Sequence, residues 1–155
     1  MGKYFPILIL LLGCTGTALA QTAETRMKQY NLERSGLALQ GYDPVSYFTE
    51  KRAVKGRKEY SFLHKGVTYL FSSSRNLDTF RQDPSRYEPQ YGGWCAYAMG
   101  KNGEKVEVDP ETFKIADGRL YLFYNRFFNN TLNSWNKDEA GLKTRADLNW
   151  RKFVP

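Results

Sequence analysis

The run KEYSFLHKGVTYLFSS, residues 58–73, alternates apolar and polar residues on both sides of a tight break. Side chains of a strand point to opposite faces in turn. Tyr60 and Phe62 therefore share one face, and Val67, Tyr69 and Phe71 share one face of the next strand. His64-Lys65-Gly66 between them reads as a turn, so the run predicts an antiparallel hairpin. A second hairpin follows the same logic: TFKI and RLYLFY flank Ala116-Asp117-Gly118, and Asp-Gly suits a two-residue turn whose central positions need positive φ. A strand pair cannot bury a core by itself, so each hairpin needs a covering layer.

Short helical segments can supply that layer. Asp43-Pro44 reads as an N-cap and first helical position for VSYFTE. Ser73 or Ser74 can cap RNLDTFRQ, in which Leu77 and Phe80 share a face. Leu37 and Leu39 alternate as in a short strand, and KVEV (residues 105–108) alternates likewise. DPSRYEPQYGG, broken by prolines and glycines, is expected to be a loop or turn series. Asp109 before Pro110 reads as a turn or helix start. FFNNTLNSWNKDEAGLKTRADLNWRKF reads as two helices, with Phe127, Phe128, Leu132 and Trp135 near one stripe and Leu142, Ala146 and Trp150 along another. The expected fold class is α+β: two β-hairpins, short surrounding helices and a helical C-terminal end.

The chain of 155 residues begins with Lys3, the apolar run FPILILLLG and the small-residue stretch TALAQ. A cation, an apolar run too short to span a bilayer and small residues before a cut site describe a secretory leader. Residues 1–20 are read as that leader, with cleavage between Ala20 and Gln21 and a periplasmic or secreted destination. LLGC also resembles a lipoprotein box, with Cys14 as the acylated residue. Residues 21–35 are polar and read as a linker or frayed helix, and residues 36–155 as one domain. The net charge is +7, and loss of the leader removes one cation, Lys3. No dense Lys/Arg run is present, so no nucleic-acid partner is expected, while weak attraction to an anionic membrane surface is compatible with the charge.

The sequence holds two cysteines and one histidine. Removal of Cys14 leaves Cys95 alone, which excludes an intrachain disulfide scaffold. A buried inert thiol, a metal ligand, a reactive thiol or an intermolecular bridge remain. Met99 follows Cys95 by one helical turn, and a thiolate with a thioether suits Cu(I). His64, at a hairpin turn, is a further candidate ligand, and Asp43 is either a helix cap or a polar partner in the site. Tyr42, Tyr47, Tyr69, Tyr91, Trp94 and Tyr97 could wall a pocket, though aromatics serve first as core. No HExxH, CxxC or glycine-rich phosphate loop is present.

GYDPVSYF, YSFLHKGVTYLFSSSRNLDTF and DPSRYEPQYGGWCAYA together resemble the YHS domain, a small module related to heavy-metal-binding domains. VDPETFKIADGRLYLFYN and the tryptophan-containing tail extend the likeness to stand-alone, exported bacterial YHS proteins. In the metal-handling relatives, the resemblance implies a cysteine after DPV and two more in an FCSxxC pattern. Here those positions are Ser46, Ser72 and Asn76, and a hydroxyl is a poor soft-metal ligand beside a thiolate. Three expectations follow. One is a binding module for a soft metal, copper first, or for a small ligand, centred on Cys95 with Met99, Asp43 and His64. Another is a thiol redox protein using Cys95. The third is a structural or partner-binding domain.

Overall fold

Both predicted hairpins form. Strands β1 (Arg57–His64) and β2 (Val67–Phe71) pair antiparallel, with Phe62 opposite Tyr69 and His64 opposite Val67. Strands β3 (Asp109–Ala116) and β4 (Arg119–Phe123) pair with Ile115 opposite Leu120. The two turns, Lys65-Gly66 and Asp117-Gly118, have positive φ at both positions, as two-residue hairpin turns require. The computed structural model describes residues 15–154, with side chains from Thr22 onward. Cys14 and the greater part of the predicted leader lie outside the described residues.

The hairpins share no ladder and are joined through side chains. Val67, Tyr69 and Phe71 of β2 pack with Phe80, Val45, Tyr47 and Cys95, and Leu120 and Leu122 of β4 complete that cluster. The other face of β4 presents Tyr121 and Phe123 to a second cluster with Tyr91, Met99, Trp135, Leu142 and Ala146. All of β4 beyond Arg119 is therefore buried, so RLYLF is a continuous apolar run with both faces covered. Each large side chain buried this way contributes about 1.5–3 kcal/mol relative to exposure.

Helices fill the space around the hairpins: α1 (Thr15–Gln29), α2 (Ser46–Thr49), α3 (Ser74–Gln82), α4 (Pro84–Tyr87), α5 (Ala96–Lys101), α6 (Thr131–Trp135) and α7 (Glu139–Trp150). Ser73 caps α3 by accepting from the Asn76 N–H, and Leu77 and Phe80 are its buried face. The polar stretch from residue 21 is helical through Gln29. Beyond it, the Asn31 N–H donates to Gly92 O, and the Trp94 indole donates to Gln29 O at 2.7 Å. These bonds strap the segment onto the loop before Cys95.

Four local expectations need correction. Leu37 and Leu39 make no strand: Leu37 forms a single bridge to Thr68, and the chain turns at Leu39-Gln40-Gly41 with positive φ at all three. Residues 105–108 join no ladder, because Val106 O is used by the Cys95 N–H. The loop after α3 contains the one-turn helix α4, begun by Pro84. Phe127 and Phe128 lie on no helix. The Asn130 side chain caps α6 by accepting from the Leu132 N–H, so helix starts only at Thr131. The chain before it folds into a third hairpin, β5 (Asn125–Arg126) with β6 (Asn129–Asn130).

α5 and α7 cross at Gly100, where an added Cβ would lie 2.5 Å from Leu142 O. The close approach lets Arg145 Nε donate to Gly100 O at 3.1 Å, a carbonyl at the end of α5, and Asn149 Nδ2 add a second donor at 2.9 Å to Met99 O, which already accepts from the Gly103 N–H. Gly100→Ala should force the helices apart and cost about 1–3 kcal/mol, despite alanine's better helix propensity. Urea denaturation compared with an exposed control, Ala140→Gly, measures it; an unchanged midpoint would refute the close crossing.

Candidate functional site

Three segments meet at the fully buried Asp43. Its Oδ1 accepts from the Val45 N–H at 2.8 Å, which turns the chain into α2. Its Oδ2 accepts from the Ser72 N–H (2.8 Å), Ser72 Oγ (2.7 Å) and Asn76 Nδ2 (2.7 Å). Ser46 Oγ donates to Asp43 O at 2.8 Å and accepts from the Val54 N–H. The Asp43 N–H itself donates to Val54 O. The carboxylate thus ties the end of β2 and the first turn of α3 to the loop that starts α2. Burying a carboxylate without such donors would cost several kcal/mol.

Cys95 lies elsewhere. It precedes α5 with non-helical φ and ψ, and its sulfur is fully buried. The Tyr124 N–H donates to Sγ at 3.4 Å, and Sγ lies 3.4 Å from Thr131 Oγ1. Because the Thr131 hydroxyl donates to Tyr124 O at 2.9 Å, the thiol is the donor in its contact with Thr131. The sulfur therefore has hydrogen-bond partners on two sides. It closes the floor of a hollow of about 260 Å³ walled by Tyr97, Ala98, Val106 and Tyr124, with Lys101, Asn102, Glu104 and Asn129 also lining it.

Ser46, Ser72 and Asn76, where the resemblance implies cysteines in metal-handling relatives, form a spatial cluster about Asp43. Residues 45–91 match the family model of the YHS domain. No curated protein and no solved structure matches the chain. The YHS match covers α2, the first hairpin, α3 and α4, and ends before Cys95. Within it, the three expected ligand positions are filled by groups already bonded to Asp43. Two hydroxyls and an amide do not fit a soft metal, and the lone pairs of Asp43 face donors on every side.

The four candidate site residues are not brought together. Among the described residues, no group of three or more His, Cys, Asp and Glu side chains could hold a metal ion. Met99 packs in the second core cluster and Cys95 in the first, because Cys95 precedes the helix and the i,i+4 rule for a shared face does not apply. His64 stacks on Phe62 and meets Phe80 edge-on, at ring distances of 6.2 and 6.1 Å. Burial lowers its pKa below the usual 6.5, with Glu88 opposing. Of the proposed aromatic wall, Tyr97 borders the Cys95 hollow, while Tyr47 and Tyr69 are core.

Two groupings escaped the sequence reading. Thr131 and Tyr124, which hold the Cys95 sulfur, carry no local motif. Arg26 pairs with Glu88, which also accepts from Tyr69 OH at 2.7 Å. Burial opposes the Arg26 charge, but the Glu88 hydrogen bond and charge leave its pKa raised. The partners are far apart in sequence, and a lone buried arginine in a polar stretch gives no periodic signal. Next to this pair, Tyr30, Tyr91, Gly92, Arg119, Asp147 and Trp150 help line a cleft of about 370 Å³. Gly92, at φ 61°, presses between Tyr30 and Trp150, where a Cβ would come within 3 Å of both rings. Burial pushes the Tyr121 phenol on its wall up to about 12.

Asp43→Ala should cost about 3 kcal/mol or more, since it strands buried donors. Asp43→Asn should recover little, because both oxygens accept and an amide nitrogen would face a donor in either orientation. Chemical denaturation of the two variants decides this, and near-wild-type stability of Asp43→Asn would contradict the assigned contacts. The single His64 imidazole should titrate by NMR below pH 6.5. Its depressed folded pKa makes its contribution to stability complete above pH 6.5 and progressively lost as pH falls through the folded value. His64→Gln should remove that component of the pH dependence.

Proposed function

We propose that this protein is a small-ligand-binding module whose site is the hollow floored by Cys95. The carrying observation is the composition of its lining. A thiol and a hydroxyl, bonded to each other and to the Tyr124 backbone, form part of the lining of a hollow with aromatic and aliphatic walls, and the polar groups left for a ligand come from the other lining side chains. Such a mixture of apolar walls and few polar groups is typical of sites for small organic molecules. The fitting ligand is a compact, mainly apolar molecule with one polar group. Lys101, Asn102, Glu104 and Asn129 give it further polar contacts.

Copper is the weaker reading of the same site. The hollow offers one sulfur and no imidazole, and tight Cu(I) binding calls for more soft donors. A redox role also requires an accessible, activated sulfur, whereas Cys95 is buried and donates its proton to Thr131.

Amide NMR of the full chain during titration with phenol, benzamide and imidazole tests the proposal. Saturable shifts at Tyr97, Val106, Tyr124 and Thr131 are expected for at least one probe, and Thr131→Val should weaken them. A parallel Cu(I) titration against a competing chelator should show no stoichiometric uptake. Absence of shifts at those residues would defeat the ligand reading. Tight Cu(I) uptake lost in Cys95→Ser would replace it with a metal site.

A further inference from the structure

The tip of the β5–β6 hairpin carries Phe127 and Phe128 at 87% and 110% relative exposure. Both residues have left-handed backbones, with φ of 52° and 62°. Asn-Gly is the usual choice for such a turn, because a bulky side chain at positive φ is strained. The same chain seals Phe71, Phe80 and Phe123 completely. Here two rings stand exposed on a strained backbone, and among the described residues none covers either ring.

From this geometry we infer that the Phe127–Phe128 tip is a membrane-surface anchor that inserts its two rings among the lipids of an anionic bilayer. This goes beyond the ligand site and does not rest on it. The tip is two residues wide and convex, so a soft medium can surround both rings, whereas a flat protein surface would cover only one side of each. The hairpin's shoulders, Asn125, Asn129 and Asn130, are polar and suited to headgroup depth. Arg126 is exposed beside the rings, and between Asp117 and Asp138 the chain carries Arg119, Arg126 and Lys137 and no acid. Arg126 also borders a cleft lined by Glu33 and Glu107, so the cation that can accompany the rings is Arg126 itself, and its contribution is what the charge-removal variant reads. The whole chain, at +7, is drawn to an anionic surface. Shallow insertion of aromatic side chains assisted by a cation is the pattern of interfacial attachment, not of spanning.

Because residues 5–13 are themselves apolar, bulk partitioning of the full chain is a poor readout, and the tip must be read locally. Phe128→Trp places an indole there, and its emission is obtained by difference from the wild-type chain. Adding vesicles of phosphatidylcholine with phosphatidylglycerol should shift that emission to the blue, with quenching by lipids brominated near the headgroup. Pure phosphatidylcholine vesicles, or Arg126→Gln, should lower the apparent affinity by roughly fivefold. The double variant Phe127→Asn/Phe128→Gly should have an equal or higher Tm, since it relieves the turn. Unchanged tip emission with vesicles would overturn the inference. So would a blue shift that needs only higher protein concentration, which would assign the tip to a second copy. A lower Tm for the double variant would also overturn it, by showing that the rings serve the fold.

Discussion

The hydrogen bonds into the Asp43 carboxylate are the constraint on which the first half of the fold rests. Apolar packing draws β2, α2 and α3 together but is non-directional and leaves their relative setting free. Asp43 fixes it, because an ionisable group buried in that cluster is tolerable only where Val45, Ser72 and Asn76 point their donors at it. A shift of α3 by one residue would carry the Asn76 amide away and leave Oδ2 with the Ser72 donors alone.

The same network explains how this chain departs from the metal-handling pattern it resembles. The resemblance implies cysteines at these three positions in metal-handling relatives. Here Ser72 and Asn76 supply donors that converge on an anion, and Ser46 secures the backbone on which that anion sits. In this chain two of those positions, Ser72 and Asn76, point donors at a carboxylate, the opposite of what a cation site requires. Restoring one cysteine would therefore not restore a metal site, since Asp43 would still occupy the centre and would lose a donor.

Away from the Asp43 network, Cys95 lies close to where the two core clusters meet. β4 is the partition: Leu120 and Leu122 face one cluster and Tyr121 and Phe123 the other. Cys95 bridges to Leu122 and bonds through its N–H to Val106 O, so its sulfur is positioned by backbone on two sides. That rigidity suits recognition by shape and hydrogen bonding, whereas thiolate chemistry would require the Thr131 contact to be broken first.

Alternation and turn chemistry made both large hairpins legible, and Ser73, Leu77 and Phe80 marked α3, because these signals are local. The convergence of Asp43, Ser72 and Asn76, and the pairing of Arg26 with Glu88, depend on contacts across tens of residues that no periodicity encodes. The instructive failure is at Phe127 and Phe128. Counting apolar residues placed them on a helical stripe, on the premise that phenylalanine seeks the core. The stripe fails because Asn130 caps the helix behind them, and the side chains that would have paired with Leu132 and Trp135 are turned outward. Natural sequences follow local rules except where another demand prevails. A strained turn that exposes two rings breaks the preference for glycine at positive φ and the preference for buried aromatics at once. A single exposed phenylalanine needs no explanation. Two together, on a backbone that favours neither, point to a demand from outside the fold.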